Sequence, residues 1–236
     1  MTEPLPPPSG GTLRAFAAFL RRPRLLEPSG LRAPGAWREL RVMIVLHVAV
    51  LIGLLGPLIG FWQMRFGLPA PDAFGKISPT LLVPGAVLIA PLLEEIAFRG
   101  WLTGRARALW LLACALGGLG LLYAHARGLP PLWVAGGLAA LLIATAAGWL
   151  ALRKRGAPAW FAALFPAIFY LSAAAFSLVH IANYPHFSAL ALPLILPQLW
   201  GGLVCGFLRM RIGLPASFIA HAAANSVALT LAMLAG

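Results

Sequence analysis

PLLEEIAFRG, residues 91–100, places Glu94, Glu95 and Arg99 inside an otherwise apolar run, in a chain with only six acidic residues. A charge at the centre of a bilayer costs roughly 2.5–3.5 kcal/mol on insertion scales, so ionisable side chains kept there are functional candidates by default. On a helix, Glu95 and Arg99 are four residues apart and share a face, whereas Glu94 points about 100° away. Glu95 is therefore expected to pair with Arg99, which leaves Glu94 free to act. A purely structural bridge would not explain the second carboxylate.

Working outward, 61% of the 236 residues are hydrophobic and 10% are charged. The apolar runs are long enough to span a bilayer. The expected fold is all-α, a polytopic transmembrane helical bundle of about seven spans: 42–63, 79–102, 108–124, 131–151, 160–183, 187–208 and 214–235. Pro84, Pro91, Pro166, Pro193 and Pro197 fall inside these, breaks that neighbouring helices can satisfy. Gly202 and Gly206 form a GxxxG, a close helix-packing face.

The net charge of +12 does not imply nucleic acid, because Lys and Arg sit in short clusters between the apolar runs. That pattern belongs to topology and to anionic lipid headgroups. Leaving Arg99 aside, an inside N-terminus puts 14 basic residues in the inside segments and Arg65, Lys76 and Arg127 outside. The expectation is a multi-pass protein of the inner (plasma) membrane, with its N-terminus cytoplasmic and its C-terminus outside. Residues 1–40 read as a basic, Pro/Gly-rich cytoplasmic segment ahead of a transmembrane domain at 41–236. In that segment LRAFAAFLRR reads either as a short amphipathic helix on the membrane surface or as part of a disordered tail. Cys114 and Cys205, each alone in an apolar helix, read as small buried hydrophobes.

Two further apolar runs each carry a polar pair: FSLVH, with Phe176 and His180, and HAAAN, with His221 and Asn225. Each histidine lies in a different span, and Asn225 stands one turn after His221 on the same face. A carboxylate with a neutral imidazole can deprotonate a water, and His and Asn donors can stabilise an oxyanion. Equally, Glu94, His180 and His221 make a ligand set for a catalytic zinc. Hydrolysis fits both versions, and zinc and no metal at all stay open. His47, His125 and His186 read as structural or solvated. Ser177 and Ser226 neighbour the key histidines without forming a serine-protease arrangement.

EEIAFR resembles the EExxxR motif of the CPBP family, the CAAX-protease and bacteriocin-processing membrane peptidases also called Abi proteins. FSLVH resembles that family's FxxxH and HAAAN its HxxxN, and LRMRIGLPASFIAH leads into the last motif as it does there. The resemblance covers about residues 81–228. It implies a CAAX-protease-like helical core and an intramembrane endopeptidase acting on a peptide or protein substrate at the bilayer. By it, Glu94 and His180 activate water, His221 and Asn225 support the oxyanion, and Glu95, Arg99 and Phe176 are structural and electrostatic partners. The family is often labelled metallopeptidase, and a metal-free glutamate mechanism matches it better. Eukaryotic members cleave prenylated CAAX tails, and a bacterial member would need another substrate.

Two features depart from the family pattern. Arg99 and Phe176 are 77 residues apart, so the helices within 108–151 read as an inserted pair. On straight helices, Glu94 and His180 would differ in depth by roughly 20 Å. The rival readings are a proton-coupled transporter, since intramembrane Glu, His and Arg also line ion paths, and a non-catalytic immunity or scaffold relative.

Overall fold

The computed structural model describes residues 11–71, 78–185 and 188–235. Lys76, His186 and the first ten residues of the basic N-terminal segment lie outside the described residues. Among those described there is no strand. Helix α1 (Thr12–Arg21) is followed by α2 (Ala36–Val50) and α3 (Gly56–Phe66), which run together through a π-helical turn, Leu51–Leu55. Next, α4 (Pro79–Pro84) and α5 (Ala90–Arg99) are joined by a second π turn, Gly85–Ile89. Helices α6 (Ala106–Ala126), α7 (Pro131–Leu152) and α8 (Ala159–Val179) follow, and a 3-10 turn, His180–Asn183, continues α8. A 3-10 stretch, Ala189–Ile195, leads into α9 (Leu196–Arg211), and α10 (Leu214–Ala235) comes last.

Among the described residues, seven helical stretches are long and apolar enough to cross a membrane: Ala36–Phe66, Thr80–Arg99, Ala106–Ala126, Pro131–Leu152, Ala159–Asn183, Ala189–Arg211 and Leu214–Leu234. The polytopic helical bundle expected from composition is what the chain forms. The expected boundaries shift by a few residues, most at the first span, which starts at Ala36 rather than residue 42.

Both π turns end two residues before a proline, Pro57 and Pro91. Proline offers no N–H, and its ring crowds the carbonyl four residues back. Widening the helix by one residue relieves that clash without ending the span. In the second turn the π register leaves the Ala86 carbonyl facing residue 91, which cannot donate. Asn225 Nδ2 donates to it instead, at 2.9 Å.

The chain divides into two compact units, Met1–Arg99 with Phe165–Gly236, and Gly100–Leu164. In the first, the GxxxG of α9 packs against α8. A Cβ on Gly202 would lie 3.1 Å from the Ala173 backbone, and one on Gly206 2.7 Å from the Phe169 ring. Of the two sequence expectations for α1, the structure takes the amphipathic helix and overturns the disordered tail. It is helical, and its apolar stripe turns into the protein, where Phe16 meets Trp200 and Phe207, and Phe19 meets Phe169 and Phe207. The backbone N–H groups of Ser29 and Gly30 donate to the carbonyls of Arg211 and Ile212, and Arg211 pairs with Glu39 at 2.9 Å. The stretch between α1 and α2 is thus tied to the α9–α10 junction. In the second unit α6 and α7 form a hairpin. The Trp110 indole lies where a Cβ on Gly148 would have to sit and donates to the Ala144 carbonyl at 3.0 Å.

Candidate active site

Helix α5 meets the second half of α8, not its start. Ser172 Oγ donates to the Phe98 carbonyl at 2.8 Å, and the Phe98 and Phe176 rings lie 5.3 Å apart. In that register His180 Nε2 stands 3.9 Å from Glu94 Oε1. The expected depth mismatch of roughly 20 Å is therefore absent. It assumed that the two helices begin and end level, whereas the last turns of α5 face residues 172–180.

Glu95 and Arg99 are both fully buried. Glu95 Oε1 accepts from Arg99 Nη1 at 3.0 Å and from His221 Nδ1 at 2.9 Å, while Oε2 accepts from the Ser217 hydroxyl. Ser217 shares its one proton between that oxygen and the Cys205 carbonyl, 2.9 Å away. Three donors on one carboxylate compensate much of the cost of burying its charge. Sequence reading missed Ser217. Its signal was there to find, since it lies four residues before His221 and on the same face of α10.

Glu94 is different. Its side chain is 29% exposed, with His180 Nε2 on one side and His221 Nε2, at 3.5 Å, on the other. The opposite nitrogen of each ring is already engaged. His180 Nδ1 lies 2.7 Å from the Phe176 carbonyl, which can only accept, and His221 Nδ1 faces the Glu95 carboxylate. Both rings therefore carry their proton on Nδ1 when neutral and turn a lone pair of Nε2 toward Glu94. Two imidazole lone pairs and a carboxylate converge, a set that calls for a water or another proton donor between them.

Phe176 forms the floor of this cluster. Its ring is edge-on to His180 and His221, at 4.7 and 5.7 Å between centroids, and Arg99 Cζ lies 3.9 Å from its centre. A guanidinium against a ring face in a desolvated place is worth about 2 kcal/mol. Arg209 Nε donates to the Arg99 carbonyl at 2.8 Å, which holds the end of α5 against α9. Asn225 is partly buried and sits on the same α10 face, with one amide proton on Ala86. Of the predicted set, the structure gathers Glu94, Glu95, Arg99, Phe176, His180 and His221 by direct contacts, whereas Asn225 bonds the Ala86 carbonyl of the π turn.

Among the other histidines, His125 Nδ1 contacts the Leu129 carbonyl at a helix end. His47 is buried on α2 and its Nδ1 has no partner among the described residues. Ser177 and Ser226 donate to backbone carbonyls of Ile195 and Ala222.

Two donor sets bear on a metal. Among the described residues, Glu95, Cys205 and His221 offer ligand atoms within 4.8 Å of one another. They do not fit a cation, because the Glu95 oxygens are taken by protein donors and the Arg99 guanidinium lies 3.0 Å away. Glu94, His180 and His221 offer donor types that zinc takes, two unprotonated imidazole nitrogens and a partly solvated carboxylate, though they are not among the sets that meet that 4.8 Å distance. Glu95 would then fix the His221 ring from behind, as carboxylates do behind metal-bound histidines.

A polytopic helical protein with a carboxylate–imidazole centre within its spans is the class that fold and site together define. Residues 76–165 match the family model described as type II CAAX prenyl endopeptidase Rce1-like. The match takes in Glu94, Glu95 and Arg99 and ends before Phe176, His180, His221 and Asn225. It supports the CAAX-protease family and, at that level, a membrane protease. Comparison with curated proteins and with solved structures found no match.

Proposed function

We propose that the protein is a membrane endopeptidase of the CAAX-protease type that hydrolyses a peptide bond with water activated by Glu94 and His180. The observation that carries the reading is the Glu94 carboxylate bracketed by two imidazole Nε2 atoms whose Nδ1 atoms are already held. In the first step Glu94 takes a proton from water, oriented by His180, and the resulting hydroxide adds to the scissile carbonyl carbon. The proton passes from Glu94 to His221 Nε2, 3.5 Å away, and the His221 imidazolium so formed is stabilised by Glu95. His221 Nε2–H and the second amide proton of Asn225 then face the oxyanion. When the intermediate collapses the C–N bond breaks, and His221 returns the proton to the leaving amine. This is general acid–base catalysis with a carboxylate-braced imidazole.

In a metal-dependent version, Glu94, His180 and His221 would hold zinc, which supplies a bound water that ionises near neutral pH. Glu95, Arg99 and Ser217 keep the same positioning role in both versions. The substrate reading that follows the family is a membrane-tethered peptide, and the N-terminus is read as inside and the C-terminus as outside.

The test is cleavage of quenched-fluorescence peptides, one farnesylated at a CAAX tail and others anchored by an apolar segment, by the reconstituted protein. Wild type is expected to cleave at least one. Glu94→Gln should lower kcat by about 10²–10⁴-fold, the usual worth of a general base, while eluting as the same folded species. Equal cleavage by Glu94→Gln would discard the mechanism. Proton flux into liposomes without proteolysis would favour a transporter.

A further inference from the structure

Residues 12–41 hold seven arginines and two glutamates. Arg14, Arg21, Arg22, Arg24, Arg32, Arg38 and Arg41 are all exposed, and Glu39 is paired with Arg211. The peptidase reading uses none of these arginines. We infer that this segment is a preformed binding platform for anionic phospholipid headgroups, held in shape by the protein rather than inserted into the bilayer.

Three observations support this. First, the centre of the α1 stripe that an interfacial helix would bury in lipid lies against the protein, with Phe16 and Phe19 among Trp200, Phe207 and Phe169, while Leu13 at its edge stays exposed. What α1 presents outward is the opposite face, where Arg14 and Arg21, two turns apart, line up. Second, the backbone beyond α1 is fixed by the Ser29 and Gly30 hydrogen bonds to Arg211 and Ile212 and by the Glu39–Arg211 pair. The arginines therefore project from an ordered frame, which lowers the entropy cost of engaging a ligand. Third, Trp37, 53% exposed, stands in the first turn of the first span between this segment and the bilayer-length helix, flanked by Arg38 and Arg41. An exposed tryptophan beside arginines at a span end is the composition of the headgroup level. Guanidinium forks suit phosphodiester oxygens, and each basic residue near an anionic surface is worth about 1 kcal/mol.

The full-length protein in detergent is titrated with dioctanoyl-phosphatidylglycerol, dioctanoyl-phosphatidylcholine, glycerol 1-phosphate and a single-stranded oligonucleotide, with binding read by native mass spectrometry. The anionic lipid should bind, and its binding should weaken as salt rises. A variant carrying R14Q, R21Q, R22Q and R24Q should lose at least about fivefold in affinity, the worth of one basic residue at an anionic headgroup. In wild type, phosphatidylglycerol should also slow amide hydrogen exchange across residues 12–34, a readout that does not depend on the variant folding. Equal binding of phosphatidylcholine, equal binding of glycerol 1-phosphate, tighter binding of the oligonucleotide, undiminished lipid binding by the variant, or unchanged exchange would each overturn the inference. None of these outcomes bears on proteolysis.

Discussion

Glu94 and Glu95 are neighbours in the chain with opposite surroundings, and their substitutions should separate cleanly. Glu95 accepts from Arg99, His221 and Ser217 in a fully buried place. Removing one partner of a buried, hydrogen-bonded charge pair costs about 3–5 kcal/mol because the other charge is left behind. Glu95→Gln should therefore lower the unfolding midpoint strongly in a denaturant or thermal series. Glu94→Gln, partly exposed and free of close protein donors, should leave that midpoint almost unmoved while removing cleavage. If both variants unfold alike, the division of roles is wrong. The division was legible in the sequence, because helical spacing alone pairs Glu95 with Arg99 and turns Glu94 away. The bracing of His221 by Ser217 was legible in principle from their spacing. The engagement of Nδ1 on both rings was not, since it depends on contacts between residues 126 positions apart and on a backbone carbonyl.

At the scale of elements, the π turn ahead of α5 links a local sequence rule to the site. Pro91 leaves the Ala86 carbonyl without its π-register donor, and Asn225 supplies one. Asn225→Ala should cost about 1–3 kcal/mol for the orphaned carbonyl. In a Pro91→Ala background residue 91 regains an N–H, so the same substitution should cost clearly less, and unfolding measurements on the four proteins give the coupling directly. Equal costs in both backgrounds would show that Asn225 does not serve the turn. The α8–α9 contact makes a second prediction. Gly206→Leu pushes a side chain into the Phe169 ring, where even a Cβ would lie 2.7 Å away. Overpacking of that kind costs about 1–3 kcal/mol, read as a lower unfolding midpoint. Proline positions announced a break near residue 91, and GxxxG announced a close face. The register of α5 on α8 was not legible, because span ends drawn from hydropathy carry no information on which turns of two helices face each other.

At the scale of the whole molecule, the count of spans and the placing of charge combine into a topology. If all seven stretches of spanning length among the described residues cross the bilayer, the two ends of the chain face opposite sides, and the placing of basic residues proposes an inside N-terminus. The chain's own cysteines, Cys114 and Cys205, are both buried, so new cysteines can report without background. Arg24 and Arg127 are exposed, one in the N-terminal segment and one between α6 and α7. In intact cells a membrane-impermeant maleimide should label Arg127→Cys and spare Arg24→Cys, which should react only once the membrane is opened. The reverse pattern would invert the molecule. It would place the arginine-rich segment 12–41 on the outer side. Labelling of both sites from outside would mean that the number of spans crossed between residues 24 and 127 is even rather than odd. The second span, with its proline and π turn, would then be the first to re-examine as a re-entrant segment, because non-helical backbone at membrane depth is tolerated only where protein or water satisfies it.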